Sequence, residues 1–191
     1  MPKSANALRV YTIGHSNRPL ADFLALLDAH GIRQVADVRT VPKSRHNPQF
    51  NAENLRRALE KRGVGYARIE ALGGFRHAKK DSKNLGWRNL SFRGYADYMA
   101  TPGFSGGLEE LERIARKRPT AVMCAEAVPW RCHRSLIADA LAKRKWSVLD
   151  IMTPASAPKH RLTPFLKVRC GVLTYPGARG RARSASLVRL R

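Results

Sequence analysis

The sequence predicts a single α/β domain, with a mostly parallel sheet of about five strands and helices on both faces. Short, continuously apolar segments alternate along the chain with segments in which apolar residues recur at helical spacing. Continuous apolarity is typical of parallel strands that are buried on both faces. The length of 191 residues is sufficient for one domain with a complete core.

Strands and helices are predicted in alternation. The strands are expected at residues 8–13, 34–38, 65–69, 120–124 and 147–151. The helices are expected at residues 19–30, 52–62, 91–100, 107–118 and 132–143. Pro19 suits the first turn of a helix, and Asn51 suits the N-cap of the second helix. Gly31 and Gly63 are suited to end these two helices.

The α/β domain is expected to cover residues 1–176. Residues 153–176 are rich in proline and show no periodicity, so no regular element is predicted there. Residues 177–191 combine small and basic side chains. That composition is typical of a disordered tail that contacts phosphates.

The strongest global feature is positive charge. The chain has 36 Lys and Arg residues against 14 Asp and Glu residues, a net charge of +22. Nine of the basic residues follow Asp150, the last acidic residue, and the remaining 27 still oppose 14 acidic residues. A charge of this size indicates a polyanionic partner, nucleic acid first. The alternative is a basic surface of purely compositional origin.

Composition also limits the compartment. No apolar run approaches the ~20 residues of a membrane span, and the first residues lack the apolar core of a secretory signal. We therefore expect a cytoplasmic protein that does not bind membranes, with its three cysteines as thiols rather than disulfides. No cofactor, metal ion or protein partner is predicted.

Reactive side chains are concentrated in residues 121–134. This stretch is predicted to run from the end of a buried strand, through a loop, into the first turn of a helix. Helix N-termini present free N–H groups and a positive dipole end, and ligands of open α/β sheets bind at this edge. The reactive residues of the stretch are Cys124, Glu126, Arg131, Cys132, His133 and Arg134.

Several short motifs occur in a fixed order along the chain. They are TIGHS (12–16), DVR (37–39), LGG (72–74), YADYM (95–99), MCAE (123–126) and CHR (132–134). In this order they resemble the DUF488 family of α/β proteins, over a match from about Tyr11 to about Pro176. The resemblance implies an α/β fold and a site at these motifs, and it implies no particular reaction.

Parallel strands would bring further polar residues to the same edge. An anion site is expected from four arginines and the predicted helix N-terminus. The arginines are Arg39, Arg45, Arg131 and Arg134. Additional binding residues are expected beside them, with glycines that either let a ligand approach the backbone or simply form a turn. These residues are Ser16, Gly73, Gly74, Tyr98 and His133, of which Tyr98 is equally suited to the core.

Residues 73–93 form a long irregular segment with six basic residues and one acid. Phe75, Trp87 and Phe92 are interleaved with these cations. Cations and flat rings together are used to bind a single strand or an extruded base, and Trp87 is the candidate for stacking. Alternatively, the segment is a solvated flap whose aromatic rings pack onto the core.

The leading functional hypothesis is an enzyme that acts on nucleic acid or nucleotides by acid–base hydrolysis. Asp37, Glu126 and His15 would be the catalytic residues. Cleavage of an N-glycosidic bond is the most specific form of this hypothesis, because it needs carboxylates and no metal. Structural alternatives remain for both carboxylates: an ion pair of Asp37 with Arg39 or Arg134, and a cap or an ion pair with Arg134 for Glu126.

Two other functions remain open. The first is a thiol-dependent enzyme that uses Cys132 on a small anionic substrate, with His15 or His133 as the base. The second is a non-catalytic nucleic-acid-binding module. A phosphatase loop is disfavoured because six residues, rather than five, separate Cys124 from Arg131. A zinc site formed by Cys124, Cys132 and a histidine is disfavoured because its spacing differs from common zinc motifs.

Overall fold

The five predicted strands form one parallel sheet, as expected. The computed structural model describes residues 8–177. The strands are β1 (Arg9–Gly14), β2 (Gln34–Asp37), β3 (Gly65–Arg68), β4 (Thr120–Cys124) and β5 (Ser147–Asp150). Their order in the sheet is β3-β2-β4-β1-β5, and each neighbouring pair is parallel. The prediction of an α/β domain is confirmed.

Helices cover both faces of the sheet. They are α1 (Leu20–Ala29), α2 (Ala52–Glu60), α3 (Leu90–Tyr98), α4 (Pro102–Ala115) and α5 (Arg134–Lys143). Successive strand residues point to opposite faces, so Val35 joins a core cluster with α1 and α2, and Ala36 joins a second cluster with α3, α4 and α5. Buried aliphatic and aromatic side chains of the helices pack in both clusters.

Strand β4 lies in the middle of the sheet and is buried along its whole length. Its register aligns Met123 with Asp37 of β2, and Cys124 with Gly14 of β1. The carboxyl ends of the three central strands therefore meet at one edge. The residues that follow each strand come together there, because parallel strands all open in the same direction.

Helix α5 begins at Arg134 and not at Cys132, so the prediction that Cys132 and His133 lie in its first helical turn is wrong. Residues Pro129–Arg131 instead form a short 3₁₀ turn, closed by a hydrogen bond from the Cys132 N–H to the Pro129 carbonyl. Cys132 has an extended backbone (φ −133°, ψ 143°). The extended residue turns the chain before the helix starts and directs the Cys132 side chain toward the sheet edge.

Two further expectations about helix starts are corrected. Helix α4 begins at Pro102 rather than near residue 107, because the Thr101 side chain caps it by accepting a hydrogen bond from the Phe104 N–H at 3.3 Å. Asn51 does not cap α2 with its side chain. Its Oδ1 accepts a hydrogen bond from the Ser44 N–H at 2.7 Å, so it supports the loop after β2.

The proline-rich C-terminal part contains a hairpin that the sequence did not predict. Strands β6 (Lys167–Arg169) and β7 (Val172–Thr174) are antiparallel. Cys170 and Gly171 connect them with positive φ angles of 46° and 76°, the combination found in tight hairpin turns. The predicted basic tail lies outside the described residues, apart from Gly177. Within residues 8–177, no helix is long and apolar enough to cross a membrane.

Candidate functional site

A cleft of about 430 Å³ lies at the carboxyl edge of β2 and β4. Its walls come from the loop after β2, the glycine-containing loop after β3, the start of α3, and the segment between β4 and α5. The lining residues with polar or aromatic side chains are Arg39, Thr40, Phe75, Asn89, Ser91, Phe92, Cys124, Glu126, Arg131, Cys132 and His133. The residues at the end of β4 and the residues just before α5 therefore line the same cavity.

Cys124, Cys132 and His133 form the floor of this cleft, and we call them the sulfur–imidazole cluster. The Nδ1 atom of His133 lies 3.9 Å from the Cys124 sulfur and 3.8 Å from the Cys132 sulfur. All three ligand atoms lie within 4.8 Å of one another. Both cysteines are buried. The two thiols therefore meet in space, a proximity that the sequence left open.

Hydrogen bonding orients the His133 ring. Its Nε2 lies 3.1 Å from the Val38 carbonyl oxygen, and because a carbonyl only accepts, Nε2 carries the hydrogen. In the neutral ring, Nδ1 then has a free lone pair, and this lone pair faces the two sulfurs. Gly74 makes the arrangement possible, since a Cβ at that position would lie only 2.5 Å from Nδ1.

The pKa values of the two thiols shift in opposite directions. The hydrogen bond from Cys124 and the positive charge of the nearby Arg134 lower the pKa of Cys132 well below the ordinary thiol range. The same hydrogen bond, together with burial, raises the pKa of Cys124 well above that range. One negative charge is therefore favoured at Cys132, with Cys124 as its hydrogen-bond donor.

Arg134 is committed to the backbone and does not belong to an open anion clamp. Its buried guanidinium donates hydrogen bonds to the Glu126 carbonyl at 2.6 Å and to the Ala127 carbonyl at 3.0 Å. The ion pair between Arg134 and the Glu126 carboxylate, one of the two structural alternatives for Glu126, is not formed, because Arg134 contacts the main chain instead. Arg134 thus holds the loop that follows β4, and Glu126 is exposed at the cleft.

Asp37 forms the ion pair with Arg39 that the sequence offered as a structural alternative. Its fully buried carboxylate accepts hydrogen bonds from the Arg39 guanidinium at 2.6 and 2.9 Å and from the Tyr66 hydroxyl at 2.7 Å. Arg39 is itself buried. Neither a free catalytic carboxylate at Asp37 nor a free cation at Arg39 is available to a ligand.

His15 is part of the same buried group. Its Nδ1 donates to the Ser16 carbonyl at 2.7 Å, so its Nε2 accepts from Arg39 at 3.2 Å. Its ring stacks on Phe50. Burial and the positive charge of Arg39 outweigh the Ser16 hydrogen bond and lower the pKa of His15 to about 4. His15 is therefore neutral near pH 7 with both nitrogens engaged, which removes the support for a role as general base.

The four predicted anion-binding arginines do not converge. Arg39 and Arg134 are buried in the contacts described above. Arg45 is exposed in the loop after β2 and does not line the cleft. Arg131 is exposed and lines the cleft. It is therefore the one predicted arginine with a guanidinium free to meet a ligand there.

Trp87 and Tyr98 lie away from the cleft. Trp87 packs against Phe92, Phe165 and Tyr175, with ring centroids 4.7, 5.0 and 5.7 Å away. Trp87 therefore packs onto the core, as in the alternative interpretation of residues 73–93. The Tyr98 hydroxyl donates to a backbone carbonyl at 2.8 Å, and a guanidinium lies 3.8 Å from its ring centroid. Both rings support the loops rather than facing the cleft.

The remaining predicted binding residues have different positions. Ser16 lines a neighbouring cavity of about 480 Å³ with His15 and Glu126. Gly73 has no room for a Cβ, which would lie 2.9 Å from the Thr40 hydroxyl. That hydroxyl accepts a hydrogen bond from the Phe75 N–H at 3.1 Å. Gly73 therefore shapes the loop that carries Phe75.

Sequence reasoning missed the most exposed ring of the cleft. Phe75 has 78% of its surface exposed and lines the cavity. Phe75 belongs to the aromatic and basic segment, in which the sequence predicts Trp87 as the candidate for stacking. Only the packing around Trp87 shows which of the two is free.

These features define an α/β protein with a sulfur–imidazole cluster at the carboxyl edge of a parallel sheet. The sequence matches the model of the family described as "Domain of unknown function DUF488" over residues 19–141. This match spans well over half of the chain and includes the whole cluster, so the chain belongs to the DUF488 family. No match was found among curated proteins or among solved structures.

Proposed function

We propose that the protein is a hydrolytic enzyme that acts on nucleotides or nucleic acid at this cleft, with Glu126 as the acid–base group. The observation that carries the proposal is the combination of side chains at the cleft. Glu126 is the one carboxylate among the lining residues, and the exposed Phe75 ring and Arg131 guanidinium line the same cavity. Phe75 would stack on a base, Arg131 would bind a phosphate, and Glu126 would transfer a proton at the reacting bond.

The binding part of the proposal rests on Phe75 and Arg131. An exposed aromatic ring can stack on any nucleobase, because every base has a π-face. A guanidinium forms charge-assisted hydrogen bonds to phosphate. The net charge of +22 also raises the local concentration of polyanions and speeds their association.

The chemical part rests on Glu126. A positioned carboxylate can take a proton from an attacking water or deliver one to a leaving group. For N-glycosidic cleavage, the bond between the base nitrogen and the sugar carbon breaks. The hydroxyl of water joins the sugar carbon, and the remaining proton goes to the base. Of the three catalytic residues expected from the sequence, Glu126 is the remaining candidate for the acid–base group, because Asp37 and His15 are engaged in a buried network.

Release of free bases tests this proposal. The protein is incubated separately with nucleotides, with single-stranded DNA and with RNA that contains modified bases, and released bases are measured by liquid chromatography and mass spectrometry. Glu126→Gln should lower turnover by about 10²–10⁴-fold and keep substrate binding. Glu109→Gln, on an exposed position of α4, is the matched control and should retain full turnover.

Two outcomes would contradict the proposal. One is a Glu126→Gln variant with wild-type turnover. The other is salt-dependent binding of a nucleic acid without turnover of any substrate class, which would indicate a binding module instead.

A second candidate is a thiol-dependent enzyme that uses Cys132 on a small anionic substrate. It is favoured by the 3.8 Å separation between the Cys132 sulfur and the His133 Nδ1 lone pair at the cleft floor. This candidate predicts that Cys132→Ser is inactive and that Glu126→Gln remains active. It also predicts rapid alkylation of Cys132 in a Cys170→Ser background, in which the exposed third thiol is absent.

A further inference from the structure

We infer that the sulfur–imidazole cluster binds a zinc ion through the sulfurs of Cys124 and Cys132 and the Nδ1 of His133, with a fourth position open to the cleft. The inference deepens the proposed function, since the ion would lie at the same cleft. Metal binding can be measured without any substrate, however, so the two proposals can fail separately. Among residues 8–177, this is the one group of three such side chains close enough to share an ion.

Distances within the cluster fit a tetrahedral ion. Zinc–sulfur bonds of about 2.3 Å and a zinc–nitrogen bond of about 2.0 Å place sulfur and nitrogen roughly 3.5 Å apart in a tetrahedron. The observed separations from His133 Nδ1 are 3.9 Å to Cys124 and 3.8 Å to Cys132. Shifts of a few tenths of an ångström, within the reach of side-chain rotation, would close the site.

The orientation of His133 is that of a metal ligand. Ligating histidines usually donate their second N–H to a carbonyl or carboxylate, which fixes the ring and its tautomer. The Val38 carbonyl has this role for Nε2, so the Nδ1 lone pair faces the sulfurs. Gly74 leaves the space beside Nδ1 free of a side chain.

The donor atoms select the kind of ion. Thiolate and imidazole ligands favour zinc and other soft or borderline ions over magnesium or calcium. Two thiolates also balance the double positive charge of zinc. The zinc-loaded cluster is therefore itself neutral, next to the buried Arg134. Ion binding would deprotonate both thiols and thereby remove the competition between Cys124 and Cys132 for one proton.

Three protein ligands and a cavity at the fourth position are typical of catalytic rather than structural zinc sites. Water bound to zinc in such a site has a pKa of about 7. Glu126 follows Cys124 by two residues, is exposed, and lines the same cleft without joining the cluster. It would take a proton from the water as the water oxygen adds to the carbon that bears the leaving nitrogen, and would deliver that proton to the nitrogen as the carbon–nitrogen bond breaks.

The test is the metal content of the full chain, purified without a polyhistidine tag. Elemental analysis should give about one zinc per chain in the wild type. Cys132→Ser and Cys124→Ser should each lower the zinc content by at least about tenfold. Cys170→Ser is the matched control, because Cys170 is exposed in the β6–β7 turn, and it should keep the full content.

A second measurement covers ligand variants that fail to fold. Zinc is removed from the wild type with a chelator and replaced by cobalt(II), which absorbs visible light strongly when it is tetrahedral and bound by thiolate. The wild type and Cys170→Ser should show this absorption. In the zinc form, Cys124 and Cys132 should resist alkylation, and chelation should expose both to it.

Folded wild-type protein that contains no zinc and gives no cobalt absorption would overturn the inference. Equal zinc content in the wild type and in both ligand variants would also overturn it. One zinc per chain without base release would leave the metal site intact and remove the proposed hydrolysis. Base release by metal-free protein would remove the metal site from the reaction and retain the hydrolysis.

Discussion

Two histidines of this protein lie between pairs of reactive groups, and their surroundings differ in one respect. His133 lies between two sulfurs at the floor of the cleft. His160 lies between two carboxylates, 3.0 Å from Asp139 and 3.3 Å from Asp150. Hydrogen bonds hold both imidazole rings. Of the two, only His133 retains a ring nitrogen without a strong hydrogen-bond partner.

The His160 network is fully satisfied. Asp139 also accepts hydrogen bonds from the Thr163 N–H at 3.1 Å and from the Tyr175 hydroxyl at 3.0 Å. Asp150 accepts one from the Thr12 hydroxyl at 2.6 Å. A cleft of about 610 Å³ borders His160, yet both ring nitrogens are engaged. The network therefore attaches the C-terminal segment to the sheet and has no bonding capacity left for a ligand.

The comparison shows how to separate structural from reactive polar groups in a basic α/β protein. Buried polar groups that satisfy each other stabilise one conformation. A group of similar residue types that faces a cavity with unused lone pairs is available for chemistry. The sulfur–imidazole cluster belongs to the second kind, and the networks of His160 and Asp37 belong to the first.

The largest loss of stability is expected from His160→Leu. The variant leaves the buried carboxylate of Asp139 and the nearly buried Asp150 without their shared cation. Removing one partner of a buried ion pair costs about 3–5 kcal/mol, which chemical denaturation at pH 6 should show. His133→Leu should lose less, because it removes one strong hydrogen bond. An equal loss in the two variants would contradict the proposed distinction.

The pH dependence of stability provides the next test. Although burial alone would lower it, hydrogen bonds to Asp139 and Asp150 raise the pKa of His160 to about 9. The folded-state pKa lies above the unfolded value of about 6.5, so this contribution is complete below pH 6.5 and is lost as the pH rises to about 9. The difference in unfolding free energy between the wild type and His160→Leu should shrink by on the order of 3 kcal/mol over this range.

Other groups that titrate over the same range are present in both proteins, so the difference isolates the contribution of His160. The charged and titratable groups that face it are Asp139 and Asp150, and Tyr175 donates to Asp139. A difference that stays constant between pH 6 and 9 would show that His160 is not charged in the folded protein.

A smaller loss is expected from Gly74→Ala. The added Cβ would lie 2.5 Å from His133 Nδ1 and would push the ring away from the sulfurs. Overpacking of this kind costs about 1–3 kcal/mol, and zinc content should fall with stability. Gly106→Ala in α4 is the control, because a Cβ there meets no atom within 4 Å. Full zinc content in Gly74→Ala would show that the ring can be displaced without loss of the site.

The smallest change in stability is expected from Phe75→Ala. Phe75 is 78% exposed, and substitutions at exposed positions change stability by about 0.5 kcal/mol or less. Loss of base stacking, worth about 1–3 kcal/mol, should nevertheless weaken binding of single-stranded nucleic acid by roughly 5- to 150-fold. Trp130→Ala is the control, since Trp130 is 65% exposed but lines the other cleft. Equal weakening in both variants would contradict a specific role for Phe75.

Local patterns predicted most of the fold. The apolar segments and the helical spacing predicted all five strands of the parallel sheet, the α/β class and the edge at which reactive residues gather. They did not predict the short hairpin of β6 and β7, because three-residue strands carry no measurable periodicity. They also placed the start of α5 two residues early, since the extended conformation of Cys132 depends on the turn that begins at Pro129.

The candidate site was predicted less well than the fold. The sequence identified Cys132, His133 and Glu126 as reactive, because residue type and position after a strand are local properties. It also assigned open roles to Asp37, Arg39 and Arg134. In the structure Asp37 and Arg39 form an ion pair with each other, and Arg134 donates hydrogen bonds to backbone carbonyls. Whether a polar residue is free or engaged depends on what packs around it, and no local pattern carries that information.

The sequence by itself determined the class of the fold, the positive charge and the composition of the segment between β4 and α5. Only the tertiary structure decided that two cysteines separated by seven residues meet at one imidazole. That meeting requires the Val38 carbonyl at the end of a neighbouring strand to hold the ring. It also requires a glycine from another loop to make room for the ring. Both contacts depend on how distant parts of the chain pair, which is why spacing along the sequence argued against a metal site at these residues.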